Sequence, residues 1–385
     1  MRTVFLAACV AATTSALVIT PRTSSSTVSP QLSSASLVAL VTDPTLDRDS
    51  CGSVQWGDRV LWTCRDTGYL DGDTYVAFFS SSASYTNLDG NGSLALGTAT
   101  ITAPSGTEYP AALTMYGDNH NHSFFPIQTD DCGDNQAGSC SDGTRWAVWP
   151  NSPPLVTSDS GNGTIIAYTW IKNSHLTDAL ALLVDDPSTS LYRISSVTGE
   201  NDTLPAVELV DEEFYQAGTF AYGNYGGMVI NDTAYLYAQS STGAVALSKA
   251  PVDSVEDVTT YQYMVDGSWT TTRPSINDTG AELKATAGGQ GTFYFNQAMD
   301  SYVWIGQGEG GPDLYVTTAP TPWGPWSSAE QVFTFPNGDT ADGIGAYSMQ
   351  AHPEFSDIAA NQIYVSYTKA NTGGYETPLY LLQWA

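Results

Sequence analysis

The sequence predicts an all-β chain folded as a single-domain, five-bladed β-propeller, with its ring closed by N- and C-terminal strands. Two observations carry this expectation. Charged residues make up only 14% of the 385 residues while aromatics reach 11%, and Gly, Ser and Thr are plentiful; long helices need an Ala, Leu, Glu and Lys mixture that this chain lacks. A Gly/Asn/Asp turn followed by an alternating aromatic strand also recurs five times, as "GDRVLWTCRDT" from Gly57, "GNGTIIAYTWI" from Gly161, "NDTAYLYAQSS" from Asn231, "MDSYVWIGQG" from Met299 and "NQIYVSYTKA" from Asn361. The last four copies stand about 60 to 70 residues apart, the length of a four-stranded blade. A sandwich of similar length would not explain five spaced copies of one hairpin.

From the N-terminus, "MRTVFLAACVAATTSA" has a basic start, an apolar run and small residues at Thr14 and Ala16. It reads as a secretory signal peptide over 1–16, too short for a span of about 20 apolar residues. Residues 17–40 read as a Ser/Thr-rich leader ending in the strand "ASLVALV", and 41–385 as the propeller, with "LYLLQWA" closing the last blade. The mature protein is expected to be secreted, extracellular, soluble and monomeric. Cys9 leaves with the signal, so Cys51, Cys64, Cys132 and Cys140 remain; an even count in an oxidising compartment implies disulfides, with three possible pairings. The first gap between hairpin copies is longer and contains Cys132 and Cys140, which marks an inserted loop. Sequons at Asn91, Asn121, Asn162, Asn201, Asn231 and Asn277 fit a glycosylated product. Acidic residues outnumber basic ones 40 to 12, which excludes nucleic acid and anionic membranes as partners, since both need a basic face.

Within "DRDSCGSVQWGDRVLWTCRDT" (47–67), a two-residue Gly57-Asp58 turn sets a register in which paired residue numbers sum to 115. Cys51 then faces Cys64, and Asp49 faces Asp66, both as non-hydrogen-bonded pairs on one face. A Cys51–Cys64 disulfide is sterically reasonable, leaving Cys132 and Cys140 to close "CGDNQAGSC". At the open end of this hairpin, two opposed carboxyls would sit in the central funnel. Counting along the other hairpins brings Trp149, Tyr222, Asn224, Gln290, Gln307, Glu309 and His352 to the same funnel, with Lys172, His175 and Lys369 nearby. Aromatic faces cover sugar C–H surfaces and amides bind hydroxyls, so the expected partner is a poly- or oligosaccharide.

"CGSVQWGDRVLWTCRDT", "APTPWGPWSSAEQVF" and "YSMQAHPEFSDIAANQIYVSYT" together resemble a family of secreted five-bladed propellers known as domain of unknown function 4185, which includes endo-D-arabinanases. The resemblance spans roughly residues 45–384. It implies glycoside hydrolysis on a furanose-containing, arabinan-like polysaccharide, with an acid before the first strand at Asp49 and another at Asp66, and with His352 in the final-blade motif. The Cys51–Cys64 pair and the Arg of "CRD" depart from the family pattern and leave the substrate open.

The mechanism expected is that of a carboxylate pair with split pKa values, Asp49 as nucleophile and Asp66 as acid/base. Direct opposition suggests a spacing of about 5 to 5.5 Å and retention. Glu309, Glu354 and Asp118 are reserve candidates. A non-catalytic glycan-binding propeller and a secreted interaction or effector protein are the alternatives. No metal or cofactor is expected: the histidines of "DNHNH" lack a third ligand, and Gly288-Gly289 reads as a turn rather than a phosphate loop.

Overall fold

In a computed structural model the structure describes residues 27–385 except 73, 118–119, 129–131, 133–134, 161–163, 198–202 and 340–344. The signal-peptide segment, Asn162, Asn201 and Asp118 lie outside the described residues. The chain is all-β; helical structure among the described residues is confined to three-residue 3-10 turns. No helix among them is long and apolar enough to cross a membrane.

The first unit is an antiparallel ribbon that runs Leu46–Arg48 and Gly52–Trp56, returns as Arg59–Cys64 and Thr67–Asp71, and turns again through Thr74–Phe79 and Ser82–Asn87. Every run breaks at the same level, so the ribbon counts as two three-stranded sheets. The register sums to 115 on both sides of the break, from Trp56↔Arg59 to Leu46↔Tyr69. The expected register therefore holds, but the hairpin does not open at Asp49 and Asp66; they sit at a kink within it.

In the second sheet, Arg145–Val148 and Leu155–Asp159 both pair with the long strand Thr164–Leu176, followed by Thr189–Val197 and Ala206–Tyr215. The gap in the inner strand is "WPNSPP", where three prolines lack the N–H that a ladder needs. A third sheet follows as Gly226–Ile230, Thr233–Gln239, Val245–Pro251, Gln262–Val265 and Ser268–Thr270. The fourth is Gly288–Asn296, Ser301–Gly308, Asp313–Ala319 and Glu330–Thr334. The fifth joins Ala346–His352, Gln362–Asn371 and Gly374–Trp384 to the N-terminal strand Leu32–Thr42, which also pairs with Ala112–Thr114. Leu32–Thr42 lies antiparallel to the C-terminal strand.

Each recurring aromatic strand is the second strand of its unit, and each buries a large ring: Trp62, Trp170, Tyr237, Trp304 and Tyr367. Burying such a ring contributes about 2 to 3 kcal/mol relative to leaving it in water. The apolar clusters lie between successive units. One joins Trp56 and Leu61 to Ile165 and Tyr192, the next Trp170 and Leu191 to Leu236 and Tyr263. Tyr237 then packs with Phe293 and Trp304, and Val303 with Ile363 and Leu382. A fifth brings Ala39 and Leu379 back against Val60 and Trp62.

Both disulfides are present, Cys51–Cys64 across the first ribbon with a Cα–Cα distance of 4.1 Å and Cys132–Cys140 within the long loop after it. Asn91, Asn121, Asn231 and Asn277 are exposed.

Candidate active site

The kink in the first ribbon is made by Ser50, whose φ of +50° interrupts the extended backbone. Asp49 N–H donates to Asp66 O at 2.8 Å while Arg65 N–H donates to Asp49 O at 2.9 Å, so the two acids share a backbone hydrogen bond instead of forming the non-hydrogen-bonded pair expected, and the ladder is distorted here without an inserted residue. Neighbouring sheets hold this geometry: Ser50 N–H donates to Thr368 Oγ1 at 2.9 Å, and the Ser50 and Ser348 hydroxyls lie 2.7 Å apart. Ser348 is itself left-handed, with φ +53°.

The kink sends the two acids to different neighbours. Asp49 accepts from the Tyr347 hydroxyl at 2.7 Å, on the fifth sheet, and from the Ser50 hydroxyl. Burial pushes its carboxyl above the usual range; the Arg65 guanidinium and the two hydroxyl donors oppose this, and the charge of Asp66 adds to it. Asp66 instead meets the second sheet. Arg145 grips both of its oxygens in a fork, with Nη1 to Oδ2 at 2.7 Å, and Trp149 Nε1 donates to Oδ1 at 2.7 Å. All these hydrogen bonds come from N–H donors, so both Asp66 oxygens are engaged as hydrogen-bond acceptors.

Arg65, whose charge reaches both acids, and Trp149, which donates to Asp66, line a cleft of about 390 Å3 together with Asn151, Lys172, Asn224 and Gln239. Asp49 and Asp66 are not among its lining residues, so the two carboxyls expected to share one open cleft stand behind it. A neighbouring groove of about 660 Å3 shares Gln239, Ser240 and Ser241 and continues to Lys284 and Glu309. Gln290 is not among the cleft's lining residues but holds one of them, Asn151: its Nε2 donates to Asn151 O at 2.8 Å and Oδ1 at 2.9 Å, and its Oε1 accepts from Ser348 Oγ at 2.6 Å.

The residues expected from the sequence divide. Trp149 and Asn224 line the cleft, Gln290 holds its Asn151 in place, and Glu309 lines the adjoining groove. Gln307 is buried, and its amide is spent on Gly311 O, Ala346 O and Ser348 N–H. Tyr222 is fully buried among Tyr215, Phe220 and Tyr263, not in the cleft. Gly223, at φ +92°, is the reason: it breaks the alternation that would put residues 222 and 224 on one face, and a Cβ there would meet the Trp170 ring at 2.3 Å.

His352 is also fully buried, with Nδ1 2.7 Å from Ser53 Oγ, Nε2 2.7 Å from Ser366 Oγ and its ring stacked on Phe355. It is a core histidine of the seam between the first and last sheets and touches no cleft. Glu354 accepts from Ser53 in that seam. Lys172 lies 3.4 Å from Asp186, His175 stacks on Trp146, and Lys369 lies 3.5 Å from Glu376. Sequence counting missed Arg65, Arg145, Asn151 and Tyr347. Arg65 alone carried a signal, a basic residue directly beside a proposed catalytic acid in an acid-rich chain.

Residues 161–377 match the model of the family described as Domain of unknown function (DUF5005). The chain belongs to this family. Among solved structures, this DUF5005 protein shares its fold with a candidate hydrolase from Bacteroides ovatus, at 17% identity and TM-score 0.57, covering 87% of this chain and 85% of that one. It is also similar to an exo-β-1,3-galactanase from Phanerochaete chrysosporium, at 12% identity and TM-score 0.47, covering 91% and 66%. A GH43_1 enzyme from Xanthomonas citri matches at 10% identity and TM-score 0.44, covering 90% and 89%. Comparison with curated proteins returned no match.

Proposed function

We propose that this DUF5005 protein is a secreted glycoside hydrolase built on a five-bladed β-propeller. Five sheet units in chain order, and five apolar clusters that lead from the first unit back to it, support the propeller reading. The observation that carries the chemistry is Asp49: a carboxyl raised by burial, at the meeting point of the first and fifth sheets, next to Arg65, which lines a cleft walled by Trp149 and amides. A raised carboxyl can remain protonated and donate to a leaving oxygen. Asp49 therefore takes the acid/base role that the sequence assigned to Asp66, and Asp66, with both oxygens held by Arg145 and Trp149, stabilises positive charge that develops on the sugar. The resemblance to the arabinanase-containing family makes furanose polymers the first substrates to try.

A non-catalytic glycan-binding module is the second reading, favoured by the different partners of the two carboxyls. Incubation with arabinans, galactofuranans and other plant and microbial glycans decides between them. Hydrolysis by the wild type, lost in Asp49→Asn with folding intact, is the expected result. Hydrolysis unchanged by that substitution removes Asp49 from the mechanism; glycan binding without turnover supports the module.

A further inference from the structure

The chain has 40 acidic and 12 basic residues. Among the described ones, Lys249 and Arg273 lie over the Trp269 and Tyr215 rings, while Arg145, Lys172, Arg193 and Lys369 pair with acids. Arg65 does not: among the described residues it forms no ion pair, and its two side-chain hydrogen bonds go to neutral acceptors, Nε to Pro150 O at 3.2 Å and Nη2 to Asn151 Oδ1. A guanidinium carries five N–H donors; among the described residues no acceptor meets Nη1, and the residue lines the cleft. The acids whose charge reaches it are Asp49 and Asp66. Asp66 is occupied by Arg145, and Asp49 is turned to Tyr347 and Ser50.

The guanidinium is also held in place. Asn151, which receives Nη2, is fixed in turn by Gln290, which is fixed by Ser348. A partly desolvated cation costs free energy until an anion meets it, and a planar fork held in advance matches a planar carboxylate. Lys172 places a second cation on the same cleft, while Asp185 and the Lys172 partner Asp186 set the opposing charge.

We infer that this cleft receives a sugar bearing a carboxylate, a uronic acid residue of an acidic glycan, held by Arg65. This inference rests on the glycan reading above and narrows it. Trp149 supplies a face for the sugar ring, and Asn224 and Gln239, whose amide nitrogens are held by Trp170 O and Gly288 O, keep their amide oxygens for its hydroxyls.

The test is titration calorimetry on the full chain carrying Asp49→Asn, so that binding is measured without turnover. The probes are oligogalacturonides, oligoglucuronides and mannuronate oligomers, each beside its carboxyl-reduced counterpart. The expected result is at least about tenfold tighter binding of the carboxylate forms. That preference should weaken at high salt, vanish in an added Arg65→Gln and partly survive Arg65→Lys. Equal binding of the reduced forms, a preference that survives Arg65→Gln, or no uronate binding at millimolar concentration overturns the inference. If Arg65→Gln fails to fold, the carboxyl-reduction and salt comparisons on the parent decide. Uronate binding without hydrolysis by the wild type removes the hydrolase reading and keeps this one; hydrolysis of neutral glycans alone does the reverse.

Discussion

Replacing Arg145 with Met is the sharpest test of how the site is held. Arg145 and Asp66 have side chains only 13% and 12% exposed, and the fork between them joins the second sheet to the kink of the first. Met keeps most of the aliphatic bulk but leaves Asp66 with the Trp149 indole as its remaining donor. Removing one partner of a buried pair costs about 3 to 5 kcal/mol, and the residual exposure of this pair points to the lower end, about 3 kcal/mol. At ~2.1 cal/mol/K of unfolding entropy per residue, a chain of 385 residues would lose about 4 °C in Tm. The assay is urea unfolding followed by tryptophan fluorescence on Arg145→Met, Asp66→Leu and the double variant. The double variant should cost clearly less than the sum of the singles, because it leaves no buried charge unpaired. A cost below about 1 kcal/mol for Arg145→Met, or strict additivity, would refute the claim that this ion pair holds the kink.

Asp49 and Asp47 both have carboxyls raised by burial, so the folded state binds their protons more readily than the unfolded state. Their contribution to stability is fully present below the usual value of 3.8 and is lost as pH rises through the higher folded-state values. Asp49→Asn should therefore lose less stability than the wild type as pH rises above about 4; a steeper loss in the variant contradicts the burial argument. The two disulfides close loops of different size, with sequence separations of 13 and 8. Loop-closure entropy gives about 3 kcal/mol for the first and about 2.5 kcal/mol for the second. Unfolding midpoints of Cys51→Ala/Cys64→Ala and Cys132→Ala/Cys140→Ala should fall in that order, and the reverse order would show that closure entropy does not dominate.

The legible part of the site was set by short-range rules. The Gly57-Asp58 turn fixes which residues face each other, and period-two alternation carries that pairing as far as Leu46↔Tyr69. The Cys51–Cys64 bond follows from the same register. The illegible part begins where an inner strand departs from extended geometry. Ser50, Gly223 and Ser348 all take left-handed φ, and each such residue changes which face its neighbours present. That is why Tyr222 is in the core while Asn224 is in the cleft, and why Asp49 and Asp66 reach different sheets. His352 was misplaced for a related reason: a polar residue counted to the funnel end of its strand is instead satisfied inside by Ser53 and Ser366.

By itself, then, the sequence determined the all-β class, the five recurring hairpins, the first ribbon's register and its disulfide, because turns and alternation act over a few residues. Only the tertiary structure decided the kink at Ser50, the partners of the two acids and the placing of the Arg65 guanidinium at the cleft. Those depend on groups such as Thr368, Tyr347, Arg145 and Asn151, which come from other sheets. A left-handed serine is unfavourable on its own, and its backbone N–H finds its acceptor only when the fifth sheet packs against the first.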